Sequence, residues 1–130
     1  MLFHEINDET IGALIDEFYA KARKDPDLGP IFAEHIGEDW DAHLGVIKLF
    51  WSNVMLADGR YNGNPMGKHL GLSEVRPRHF EIWLGLFGET ARELFDEQIA
   101  ISFISRAERI AQSLQMGMFQ SFGPKITTAK

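Results

Sequence analysis

The chain has 130 residues, enough for one domain with one sizeable core. Hydrophobic residues make up 45% of it and the formal charge is −6, so the composition is globular and lacks the basic stripe that nucleic acid requires. Cysteine is absent, which excludes disulfides, thiolate metal sites, thiol nucleophiles and covalent C-x-x-C-H cofactor attachment, and fits a reducing compartment. Ten Phe and three Trp can fill an ordinary core or line a pocket for a large flat ligand. Met1 to Glu9 has neither a basic flank nor a long apolar run, so no signal peptide is expected. No stretch is long enough to span a bilayer. These features predict one cytoplasmic domain over residues 1–130 without membrane insertion.

From about Asp8 to Lys24, apolar residues at Ile11, Leu14, Ile15, Phe18, Tyr19 and Ala22 follow the period of an amphipathic helix. Asn7 or Asp8 can cap it, and Asp25-Pro26 ends it. A short turn or helix around Asp27 to Phe32 follows. Gly37-Glu38-Asp39 opens a second long helix to about Ala57, with a predicted buried face of Trp40, His43, Leu44, Ile47, Phe50, Trp51 and Val54. Asp58 to Pro65 reads as a loop, and Pro65 to Leu70 forms at most a very short helix stopped by Gly71. Pro77 suits the first position of another long helix carrying Phe80, Trp83, Leu84, Phe87 and Leu94. Asp96 can cap the last helix, whose face holds Ile99, Phe103, Ala107, Ile110, Ala111, Leu114 and Met118. Gly123-Pro124 stops it, leaving residues 123–130 as a predicted flexible tail. Strand-type alternation is nowhere convincing, so the predicted class is all-α.

The five histidines are the informative titratable residues. His4 and His35 are expected to face solvent, the latter from a loop. His79, beside Arg78 and Glu81, is assigned a surface role. His43 lies on an apolar stripe, where it is either a core histidine satisfied by hydrogen bonds or a ligand or gate residue. His69 sits on a brief turn, where a surface position and a metal ligand are both open. No H-E-x-x-H, H-x-x-x-H, paired Glu-x-x-His, G-x-S-x-G or phosphate-binding glycine loop is present. A haem site makes the set coherent: iron needs one neutral imidazole, and the macrocycle needs a slot of flat and branched apolar side chains. Tyr19, His43 and Trp83, polar-tipped residues on separate predicted helices, can supply distal hydrogen bonds or be packed in the core.

The order Phe18-Tyr19, D-L-G-P-I-F (Asp27 to Phe32), W-D-A-H (Trp40 to His43), F-W (Phe50-Trp51), Y-N-G-N-P-M-G-K-H-L (Tyr61 to Leu70) and H-F-E-I-W-L (His79 to Leu84) resembles the third group of the truncated haemoglobins. The resemblance runs from about Ile6 to Met118. The Gly-Gly motifs of other truncated haemoglobins are absent, as this group leads one to expect.

The resemblance implies a two-over-two helical sandwich around haem b. It implies His69 as the proximal iron ligand and Tyr19, His43, Trp83, Ile47 and Phe32 as the distal pocket, with His43 able to swing outward as a gate. Phe50, Leu70 and Phe80 are expected against the macrocycle beside Phe32, Ile47 and Trp83. Lys68, Arg76 and Arg78 are expected near the propionates. The implied function is reversible binding of dioxygen and other diatomic gases such as nitric oxide and carbon monoxide. Donors in the distal pocket favour polar ligands, which points to oxygen or nitric oxide chemistry, or sensing, over bulk transport. An alternative is a redox enzyme of nitric oxide dioxygenase or peroxidase-like type. That would need a separate reductase, since 130 residues hold no flavin or nicotinamide domain. A haem-free helical interaction module is the remaining alternative.

Overall fold

Asn7 and Thr10 start the first helix by satisfying each other's backbone. In the computed structural model, which describes residues 2–57 and 75–117, Asn7 Oδ1 accepts the Thr10 N–H and Thr10 Oγ1 accepts the Asn7 N–H, both at 2.9 Å. Helix α1 spans Asp8–Lys24 and buries Ile11, Leu14, Ile15, Phe18, Tyr19 and Ala22, the face read from its periodicity. Asp25 is extended (ψ 135°), as the residue before Pro26 must be, and α1 stops there.

Asp25 then begins the next element. Its Oδ2 accepts the backbone N–H groups of Asp27 and Leu28, each at 2.9 Å, and α2 runs Leu28–Ile36. This helix continues past Phe32, where the sequence reading ended it, so His35 is helical and not in a loop. Gly37 terminates it at φ 64°, a left-handed value that costs glycine little.

Helix α3 covers Trp40–Leu56 and ends on Ala57, also left-handed at φ 54°. Its predicted face is only partly packed: Trp40 and Trp51 are buried, whereas His43, Leu44, Ile47, Phe50 and Val54 are half-buried. Helix α4 spans Pro77–Leu94 with proline in its first turn. Asp96 Oδ1 accepts the Ile99 N–H at 3.1 Å to cap α5, Glu97–Gln115. The predicted loop and short turn over 58–74, the tail over 123–130, and with them Lys68, His69, Leu70 and Met118, lie outside the described residues.

Helix α1 packs on α2, α3 and α4, while α4 packs on α5. The α1/α3 pair against the α4/α5 pair is the expected two-over-two arrangement. The core between them is aromatic: Phe18, Phe87, Phe95 and Phe103 are fully buried. Phe87 lies between two indoles, stacked on Trp51 at 4.9 Å and on Trp83 at 5.5 Å. Burying each phenyl ring contributes roughly 1.5–3 kcal/mol, as does each of the fully buried Ile11, Leu14 and Ile15 beside them. The Lys21 ion pairs to Glu89 and Glu93, at 2.8 and 2.7 Å, tie α1 to α4 on the surface and add little. Phe3 joins the last two helices: its N–H donates to the Leu94 carbonyl at 2.8 Å and its carbonyl accepts from Asp96 at 3.1 Å.

Candidate haem site

The half-buried face of α3 borders a cavity of about 490 Å³. That lies within the roughly 300–1,000 Å³ of small-molecule and cofactor pockets. Helices α1, α2 and α3 form one wall, with Tyr19, Phe32, His43, Ile47 and Phe50 among its side chains. The start of α4 and the end of α5 form the other, through Val75, His79, Phe80, Ile110, Ala111 and Leu114. Trp83 lines it where the two walls meet. Periodicity cannot separate a face packed on a core from one facing a cavity, and the apolar stripe of α3 is largely the latter.

The polar tips follow from the aromatic packing. Phe18 holds Trp83 edge-on at 5.7 Å while Phe87 covers its face, so the indole has one orientation. In that orientation its N–H donates to the Tyr19 hydroxyl. Burial pushes the Tyr19 phenol up to about 12, the Trp83 hydrogen bond opposing that rise, so the hydroxyl keeps its hydrogen at neutral pH. With its oxygen accepting from Trp83, the phenol is left to act as a donor toward the cavity. The ring is steadied by Phe32 at 5.7 Å and Trp40 at 5.9 Å, and Arg23 stacks over Trp40 at 4.3 Å.

His43 stands edge-on to both Tyr19 (6.2 Å) and Trp40 (5.5 Å). It also lines a second, smaller cavity of about 240 Å³ with His35, Ile36, Asp39, Ala42 and Val46, so its imidazole borders both spaces. The structure thus brings Tyr19, Phe32, His43, Ile47, Phe50, Phe80 and Trp83 to one cavity. Arg76 and Arg78 are exposed beside Val75 and His79 and do not line it.

Two histidines differ from expectation, one in part. His35 is exposed as expected, but it lies on α2 and not in a loop, at the rim of both cavities. His79 is not a surface residue: it is 6% exposed, lines the cavity, and accepts the Arg76 N–H through Nδ1 at 2.8 Å. Charged neighbours Arg78 and Glu81 masked it. Its third position after the helix cap and its spacing of four from Trp83 were the available signals, since the first returns a side chain to the cap and the second shares Trp83's face.

The donor set fits haem. Flat and branched apolar side chains make up most of both walls, phenol and imidazole groups stand on one side, and a buried His79 nitrogen stands on the other. A fold of two helix pairs around such a slot defines a globin of the two-over-two kind. No family model matches the chain. It is 41% identical over 126 residues to a group 3 truncated hemoglobin, ctb, of Campylobacter jejuni, covering 95% of this chain and 99% of that one. The crystal structure of a group III truncated hemoglobin from Campylobacter jejuni matches with a TM-score of 0.88 at 41% identity, over 95% of this chain and 99% of the other. The chain belongs to the group 3 truncated haemoglobins, haem-binding globins that take small gases.

Proposed function

We propose that the chain holds haem b in the 490 Å³ cavity with His69 as the iron ligand, and binds dioxygen, nitric oxide or carbon monoxide reversibly. The observation that carries the distal half of this reading is the pairing of Trp83 N–H with Tyr19 at the cavity wall. Haem supplies the iron that takes the gas; the protein supplies shape, exclusion of water and aimed hydrogens. Trp83 orients the phenol, and the phenol donates to a polar ligand. A hydrogen bond to a partly charged acceptor is worth on the order of 1.5–3 kcal/mol, while carbon monoxide offers little to accept it. This discrimination favours oxygen or nitric oxide chemistry, or sensing, over bulk transport. Turnover as a dioxygenase or peroxidase would draw electrons from a separate reductase.

His43, bordering both cavities, serves as the gate between them. Lys68, Arg76 and Arg78 are the cations assigned to the propionates, with Leu70 against the macrocycle. The absence of cysteine suits a cytoplasmic setting. Among the described residues, no helix is long and apolar enough to cross a membrane.

Optical spectra of ferric, ferrous and oxygenated protein, repeated for His69→Gly, test the assignment. The variant should lose the five-coordinate ferrous spectrum and regain it with added imidazole. A variant with an unchanged spectrum would place the iron on another residue.

A further inference from the structure

The two ring nitrogens of His79 have different surroundings. Nδ1 accepts the backbone N–H of Arg76 at 2.8 Å, which fixes the first turn of α4. A nitrogen that accepts carries no hydrogen, so the neutral ring bears its hydrogen on Nε2. The side chain is 6% exposed and lines the large cavity, and among the described residues Nε2–H has no acceptor. Its neighbours in that wall, Val75, Phe80, Ala111 and Leu114, have no side-chain acceptor. Buried donors are almost always paired, and an occupant of the cavity can bring the acceptor that the described residues do not supply.

On the haem reading above, the occupant's strong acceptors are its propionate carboxylates, because the four pyrrole nitrogens are committed to iron. We propose that His79 is a haem-binding residue whose Nε2–H donates to a propionate carboxylate. The site suits an anion twice over. A hydrogen bond to an ionised acceptor is the stronger kind, and the N-terminal end of an 18-residue helix carries partial positive charge. The same tautomer separates His79 from an iron ligand, since a protonated Nε2 has no lone pair to give. The role is therefore distinct from that of His69, and distinct from the surface cations Arg76 and Arg78.

The test compares two amides. His79→Asn keeps an acceptor where Nδ1 stands and loses the Nε2 donor; His79→Gln places a donor close to Nε2. Ferric haem loss is timed against excess apomyoglobin as scavenger. His79→Asn should lose haem about ten- to a hundredfold faster than the parent, with His79→Gln between them. The propionate bending bands of the resonance Raman spectrum should shift in His79→Asn and return toward the parent in His79→Gln. Repeating the exchange with haem dimethyl ester, whose carboxyls are neutral and weaker acceptors, should shrink the difference to less than about threefold.

Equal loss rates for parent and His79→Asn, or a difference undiminished with the ester, would overturn the proposal. The second outcome means that His79 acts through packing or a water molecule. Circular dichroism of the apoproteins confirms that both variants are folded. A parent chain that takes up no haem would instead refute the cofactor reading on which this proposal rests.

Discussion

The hydrogen bond from Trp83 to Tyr19 predicts that the two distal donors act in series, not in parallel. Replacing Tyr19 by Phe removes the hydroxyl that faces the ligand and leaves the Trp83 N–H without its partner. At on the order of 1.5–3 kcal/mol for a hydrogen bond to a partly charged acceptor, dioxygen release should quicken about ten- to a hundredfold. Replacing Trp83 by Phe keeps the phenol and removes only its polarisation and orientation. Cooperative strengthening along a hydrogen-bonded chain is roughly 10–30% per bond, so that variant should release oxygen only about 1.3- to 5-fold faster. The double variant should then resemble Tyr19→Phe alone, because Trp83 has nothing left to act through. Stopped-flow release from the haem-loaded protein, analysed as a double-mutant cycle, reads the coupling directly. If Trp83→Phe matched Tyr19→Phe and the effects multiplied in the double variant, both groups would donate straight to the ligand and the serial arrangement would be refuted.

Other outcomes follow from particular contacts. A Cβ on Gly29 would lie 2.5 Å from the Arg23 carbonyl oxygen, so Gly29→Ala should cost ~1–3 kcal/mol in urea denaturation. Gly85, in α4 with open space around it, should instead gain roughly 0.5–1 kcal/mol as Ala; equal effects at the two sites would refute the packing argument. Tyr19 should ionise at about 12 instead of 10.0, measured by phenolate absorbance in a Tyr61→Phe background. Its raised value means that stability is intact below pH 10 and falls as pH rises to about 12; a midpoint near 10 would show that the ring is solvated. Opening the boundary between the two cavities with His43→Ala should speed carbon monoxide association after flash photolysis. An unchanged rate would remove His43 as the gate.

Local signals were legible wherever one short stretch contains both partners. Asn7 with Thr10, Asp25 before Pro26, Pro77 at a helix start and Asp96 before Ile99 each announce an end, and the described bounds of α1 and α4 follow. The continuation of α2 to Ile36 was missed because Ala33, Glu34 and His35 add no apolar period. The helix persists through its docking on α1 and α4 and stops only at Gly37. The residues that the resemblance assigns to the distal pocket, Tyr19, Phe32, His43, Ile47 and Trp83, line one cavity in the structure. Their connectivity was not legible: that Trp83 points at Tyr19 depends on Phe18 and Phe87 holding the indole, a contact among three separated stretches. His79 is hidden from a sequence reading because Arg78 and Glu81 flank it with charge, while its helical register turns it toward the cavity.

The aromatic stack also explains why the cavity can exist at all. A slot lined by flexible aliphatic chains would collapse, since interiors pack densely and voids forfeit dispersion contacts. Here Trp51 and Trp83 each line the cavity while stacking on the fully buried Phe87, so neither ring can turn inward without breaking the core beneath it. The wall is rigid for the same reason that the protein is stable. Ile47 and Phe50 are half-buried where they line the cavity, and a ligand that covers them stabilises the folded state by an amount that grows with the logarithm of its concentration relative to Kd. Cavity shape and folding thus share residues: Phe87 fixes the indoles, the indoles shape the slot, and one of them directs the Tyr19 hydroxyl proposed to meet the gas.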